Sequence, residues 1–88
     1  MVERTFTLTH AAGLHARPAA LLVQTVQRFP GTEVLVRKGD REVSARSLLS
    51  VLSLGASQGD TITVRCEGPQ EEEAMAAIAR LVEGGFDG

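Results

Sequence analysis

The spacing of apolar and polar positions changes period several times along this chain, and each period predicts an element. In the opening stretch VERTFTLTH, Val2, Phe6 and Leu8 fall on one parity while Glu3, Thr5, Thr7 and Thr9 fall on the other. Such alternation belongs to a strand with one buried face, because successive side chains point to opposite sides of a sheet. Arg4 breaks the pattern once, which suits a position near a sheet end. From Ala16 to about Phe29, the residues Ala19, Leu22, Val23 and Val26 recur at helical spacing and make one apolar stripe. Pro30-Gly31 stops that helix. EVLVRKGDREVSA then gives two short strands around Gly39-Asp40, a dipeptide suited to a tight hairpin because Gly39 can adopt positive φ.

Ser47 opens SLLSVLSLG, a short helical run closed by Gly55, with its hydroxyl placed to cap free N–H groups. Gly59-Asp60 leads into TITVRC, where Ile62, Val64 and Cys66 alternate with Thr61, Thr63 and Arg65 as in a strand. After Pro69, the acids Glu71, Glu72 and Glu73 start a last helix, where negative charge complements the dipole. Ala74, Ile78, Leu81 and Val82 are its expected buried face, and Gly84-Gly85 ends it. The order strand, helix, strand, strand, helix, strand, helix, with half-wetted strands, predicts an α/β (α+β) fold. It is an open-faced β-sandwich of βαββαβα order, with a four-stranded antiparallel sheet and three helices on one face. No repeat or low-complexity segment interrupts residues 1–88, which read as a single domain.

Charge narrows the function classes. With 9 basic and 11 acidic side chains the formal charge is -2, which gives no general electrostatic reason to bind nucleic acid. Any anion site must be local. The basic residues lie in the first three quarters of the chain, whereas after Cys66 only Arg80 is basic. Trp and Tyr are absent and Phe6 has core parity, so a base-stacking RNA module lacks its platform. The single Cys66 shares parity with Ile62 and Val64 and reads as a buried apolar residue. No apolar run approaches the roughly 20 residues needed to span a bilayer, and no secretory signal is present, so a soluble cytoplasmic protein is expected.

The candidate chemistry lies in GLHARPAA, residues 13 to 20. His15 falls at the start of the first predicted helix, beside the free N–H groups of its first turn. Those donors and the helix dipole make a local anion site, and Arg17 adds a guanidinium whose fork matches phosphate oxygens. Pro18 costs nothing there, since its missing N–H is unpaired in any helix of this register. The set suits a histidine that takes up a phosphoryl group, holds it and passes it on. A lone histidine at a helix start is more often a cap or a solvated residue, and the local pattern leaves both readings open.

GLHARPAA, followed by RSLLSVLSLG at nearly the same distance, resembles the HPr family, the histidine-containing phosphocarriers of the bacterial phosphoenolpyruvate-dependent sugar phosphotransferase system. The resemblance covers essentially the whole chain. It implies that His15 accepts a phosphoryl group on Nδ1 from phosphorylated enzyme I and donates it to enzyme IIA domains. Arg17 would be the cation beside it, and the N–H groups of Ala16 and Arg17 would cradle the phosphate. Carriers of a nitrogen-related branch, or of a branch serving dihydroxyacetone kinase, share the motif and stay open as alternatives. So, from another class, does a small ligand-binding sandwich module. The chain departs from the family at Ala12, where Ser or Asn is common, and His10 stands where a small residue is usual.

Leu48, Leu49, Val51, Leu52 and Leu54 cannot all face one core from a two-turn helix. Val51 and Leu54 are expected inside, with Leu48, Leu49 and Leu52 forming an exposed patch beside His15 that is rimmed by Arg28 and Arg46. Such a patch reads as a docking surface, and the resemblance assigns it to enzyme I and enzyme IIA. Ser47 matches the serine that HPr kinase phosphorylates in some family members; it also serves as a plain cap, and both readings stay open. The run Glu71 to Glu73 reads as a helix-start charge cluster, and His10 with His15 makes no metal set, so no metal and no cofactor are expected. A monomer suits a carrier whose active face meets two partners in turn.

Overall fold

The alternating stretches assemble into one sheet and the periodic stretches into three helices that cover it. The computed structural model describes residues 1–9 and 13–86. The elements are β1 (Val2–Thr7), α1 (Ala16–Val26), β2 (Glu33–Lys38), β3 (Arg41–Ser44), α2 (Leu48–Ser53), β4 (Thr61–Glu67) and α3 (Glu71–Glu83). His10 and Ala12 lie outside the described residues.

The strands run in the order β1-β4-β2-β3, and every neighbouring pair is antiparallel. Register explains the burial pattern. Ile62 of β4 stands opposite Phe6, and Cys66 stands opposite both Val2 and Val34. Ile62, Val64, Cys66, Val34 and Val36 are all buried, whereas Thr61 and Glu67 on the other parity are exposed. A sheet with one packed and one wetted face requires this alternation. α3 packs on β1 and β4, α2 on β3, and α1 on both α2 and α3. The hairpin between β2 and β3 closes over Gly39-Asp40, with Lys38 paired to Arg41 and Gly39 at φ 60°.

Arg4 has the same parity as Val2 and Phe6 and therefore faces the helix layer. Because β1 is an edge strand, its guanidinium escapes burial: it lies 4.9 Å from the Phe6 ring centroid and reaches Glu83 at 3.2 Å.

Two helices differ from the expectation. α1 ends at Val26 rather than about Phe29. Its last bonds tighten, Arg28 N–H donating to Thr25 and Phe29 N–H to Val26. The next carbonyls turn toward Arg46, which donates to Val26 at 3.4 Å and to Phe29 and Thr32 at 2.6 Å each. Pro30-Gly31 therefore follows a helix end that Arg46 has already made. In α3, Leu81 is only partly buried, and the inward stripe is Ala74, Met75, Ile78, Ala79 and Val82. Small alanines bring α3 close to its neighbours, and Leu81 is left at the margin. The first-turn acids Glu71, Glu72 and Glu73 sit as expected.

Cys66 is fully buried, and burial, with a smaller contribution from the negative charge of Glu71, pushes its thiol up to about 11. It acts as a core residue of β4.

Candidate functional site

His15 is the N-cap of α1. Its backbone is extended, with φ -87° and ψ -165°, and its side chain does not cap the helix. Its carbonyl accepts the Ala19 N–H at 2.9 Å. Of the donors that begin a helix, Pro18 has none and that of Ala19 is taken, which leaves Ala16 and Arg17 to offer theirs to an anion. Both residues are exposed, as is His15, while Pro18 and Ala19 are buried and hold the first turn against the core. Among the described residues no carboxylate pairs with Arg17. The structure thus places an exposed histidine, two backbone donors and an exposed arginine in the first turn of one helix. That arrangement can accept and stabilise a small dianion covalently attached to the ring.

The turn at Gly13 before His15 is shaped by Ala56, Ser57, Asp60 and Lys38, which the sequence pattern does not single out for the site. Gly13 has φ 61°, and a methyl group there would collide with the Ala56 carbonyl oxygen and lie 2.6 Å from Ser57 Cα. Leu14, buried, donates its N–H to that same Ala56 carbonyl at 2.9 Å. The residue preceding His15 is therefore pinned to the loop that leaves α2. That loop has its own supports. Asp60 accepts the Ser57 N–H at 2.8 Å and lies 3.2 Å from Lys38 Nζ, which also donates to the Gly55 carbonyl at 3.2 Å. The Ser57 donor first, and Lys38 second, hold the Asp60 carboxyl below its ordinary value. The only trace of this clamp in the sequence is the Gly-Asp that precedes β4.

Ser47 caps α2 as expected, its hydroxyl accepting the Ser50 N–H at 3.2 Å. α2 runs opposite to α1. Arg46, just before Ser47, holds the C-terminal end of α1, and Ala56, just after α2, holds the turn at its N-terminal end. Eleven residues of helix at about 1.5 Å each separate those ends, so Ser47 lies well away from His15.

The leucines of α2 divide nearly as expected. Val51 and Leu54 are buried, while Leu49 is 79% exposed and Leu48 39%. Leu52, expected to be exposed with them, is instead partly buried against the core. Leu48 and Leu49 open α2 at its Arg46 end, so the strip extends away from His15 rather than lying beside it. Arg28 is exposed, with its guanidinium 5.6 Å from the Phe29 ring centroid. Arg46, expected as a rim cation, has its guanidinium on three backbone carbonyls and is part of the scaffold.

Among the described residues no group of three or more His, Cys, Asp or Glu side chains is placed to hold a metal ion, and no helix is long and apolar enough to cross a membrane.

Comparison with known proteins matches this geometry to one family. Residues 2–84 match the family model described as the PTS HPr component phosphorylation site. The chain is 46% identical over 87 residues to the phosphocarrier protein HPr of Xylella fastidiosa strain Temecula1, covering 99% of this chain and 97% of that one. It is 42% identical to the phosphocarrier protein NPr of Escherichia coli K12, covering 98% and 96%. The crystal structure of HPr-C-His from Thermoanaerobacter tengcongensis superimposes with a TM-score of 0.95 at 42% identity, covering 100% of this chain and 98% of that one. A histidine at the start of α1, an α2 that returns alongside it, and full-length similarity in both sequence and fold place the chain in the HPr family of phosphocarrier proteins of the phosphotransferase system, carriers rather than enzymes.

Proposed function

We propose that this protein accepts a phosphoryl group from phosphorylated enzyme I on His15 and hands it to enzyme IIA domains. The observation that carries the reading is the N-terminus of α1, where the exposed His15 is the N-cap and the exposed Ala16 and Arg17 are the first two helical residues. In the acceptor, the Nδ1 lone pair of a neutral imidazole attacks phosphorus while the proton stays on Nε2. The bond from phosphorus to the donor's histidine nitrogen breaks, and that nitrogen keeps the electron pair. Negative charge gathers on the equatorial oxygens as the group passes in line, and the Ala16 and Arg17 donors face it. The same contacts hold the product phosphohistidine, and the reverse motion releases it to the next acceptor.

Leu48, Leu49 and Arg28 supply an apolar strip with a cationic edge along α1 and α2, which fits acidic partner surfaces around an apolar centre. Ser47 opens that strip. A phosphate placed there by an HPr kinase sits at a helix start that tolerates negative charge. It therefore acts by repelling acidic partners and leaves the fold intact. Ser47→Asp is expected to slow phosphoryl uptake from enzyme I about tenfold or more through a raised KM, with an unchanged unfolding midpoint; uptake at the wild-type rate removes the brake.

The deciding experiment is incubation with phosphoenolpyruvate and enzyme I, followed by intact mass at neutral and then acid pH. One acid-labile phosphate on the wild type and none on His15→Ala is the expected result. A phosphate retained by His15→Ala overturns the assignment. The 42% identity to NPr favours a second reading, a carrier of the nitrogen-related branch. Comparing uptake from the enzyme I of each branch in the same organism distinguishes the two, since the cognate donor is the faster one.

A further inference from the structure

The loop between α2 and β4 touches the turn before His15 from one side and the β2–β3 hairpin from the other. Nothing in the carrier chemistry derived above uses it. Its tip is tied to the chain after β1, with Gly59 N–H donating to the Leu8 carbonyl at 2.8 Å, Leu8 N–H to the Asp60 carbonyl at 2.9 Å and Gln58 Nε2 to the Thr9 carbonyl at 3.3 Å, and its Ala56 side is shaped by a second set of bonds. The Asp60 carboxylate accepts the Ser57 N–H at 2.8 Å, folding residues 57–60 into a turn that is also closed by the Asp60 N–H to Ser57 carbonyl bond at 3.0 Å. Lys38 Nζ, from the end of β2, bridges Asp60 and the Gly55 carbonyl, 3.2 Å from each. Between Gly55 and Ser57 stands Ala56, whose carbonyl is the acceptor for Leu14 N–H at 2.9 Å and the surface against which Gly13 is pressed. A shift of the Ala56 carbonyl therefore moves the Gly13–Leu14 peptide, one residue ahead of His15.

We infer that Asp60, with Lys38, is a positioning residue for His15: the pair fixes the Gly55–Asp60 loop, and the loop fixes the direction in which the imidazole enters the anion site. This rests on the reading of His15 as the phosphoryl acceptor. The effect of Asp60 and Lys38 passes through Ala56 and Leu14. Misplacing a reacting group by about 1 Å can cost on the order of 100-fold in rate. Loss of one support from a loop that keeps its backbone bonds to Leu8, from Gly59 N–H and to the Asp60 carbonyl, is expected to cost less, about tenfold.

The test compares wild type, Asp60→Ala and Asp60→Asn. The first measurement is amide hydrogen exchange by NMR, which needs no partner: Leu14 N–H reports the loop and Val64 N–H the central strand. In Asp60→Ala the Leu14 amide is expected to lose about tenfold in protection with Val64 unchanged. Asp60→Asn, whose side-chain oxygen can still accept from Ser57, is expected to keep most of it. The second measurement is the rate of phosphoryl uptake from phospho-enzyme I, where Asp60→Ala is expected to lower kcat about tenfold at constant KM, with Asn restoring it. Unchanged Leu14 exchange in Asp60→Ala, equal losses at Leu14 and Val64, an Asn variant that behaves like Ala, or a change confined to KM would each overturn the inference. Failure of the acceptor reading looks different: wild type itself then takes up no acid-labile phosphate, while the exchange measurement still decides whether Asp60 fixes the turn.

Discussion

At the scale of single residues, two positions show how backbone space and burial decide what a side chain can be. Gly13 combines positive φ with a contact that leaves no room for a methyl group. Gly13→Ala is expected to destabilise the fold by about 1–3 kcal/mol, the range for a residue held in a disfavoured backbone region. It should also slow phosphoryl uptake, because relief of the clash displaces Leu14 and His15; a urea titration and an uptake assay check both, and a variant with wild-type values in each would mean that the turn yields freely. Cys66 is governed by burial. With the folded thiol raised from an ordinary 9.0 to about 11, the unfolded chain loses its proton first as pH rises. Stability is therefore full below about pH 9 and falls between that value and about 11. Cys66→Val removes this alkaline slope. Urea midpoints at pH 7 and pH 10 are expected to differ more for wild type than for the variant, and equal differences would show that the thiol does not contribute.

At the scale of elements, the main lesson concerns helix ends. Periodicity located all three helices and read the Ser47 cap correctly, because both signals are local. It ran α1 past Val26 because the residue that closes the helix, Arg46, is 20 positions away in sequence. The same blindness hid the clamp around Ala56, which joins three separate parts of the chain. It also left Leu52 on the wrong side of the surface: face arithmetic cannot say how far a two-turn helix sinks between its neighbours. The consequence can be measured by setting Arg46 against Arg28, a second cation at the same end of α1. Arg46→Met keeps the apolar stem but removes the charged donor from three carbonyls, at an expected cost of about 1.5–3 kcal/mol in unfolding free energy. Arg28→Met removes no hydrogen bond to the chain among those between described residues and is expected to stay within about 0.5 kcal/mol of wild type. If the two variants unfold alike, Arg46 is a surface cation and the end of α1 is held by its own turns.

At the scale of the whole molecule, order and alternation of the strands were enough for an open-faced sandwich, because a strand with one apolar face can be buried from one side only. The strand order β1-β4-β2-β3 is less legible, since register between distant strands leaves no mark in either one. That order gives Arg4 its meaning. In sequence it merely interrupts an alternation; in the fold it stands on the helix-facing side of an edge strand, stacked on Phe6 and tied to Glu83. An edge strand presents unpaired N–H and C=O groups to any other chain, and a charged side chain on its inward side opposes pairing, because a second strand would bury it. The alternation repaired by Arg4→Val gives β1 an uninterrupted apolar row and removes that obstacle. We expect wild type to sediment as a monomer up to high concentration and Arg4→Val to show concentration-dependent dimers in sedimentation velocity, while its phosphoryl uptake at low concentration stays normal because β1 lies outside the His15 site. A variant that remains monomeric over the same range would mean that the short edge and the cover of α3 suffice, and that Arg4 serves only its ion pair with Glu83.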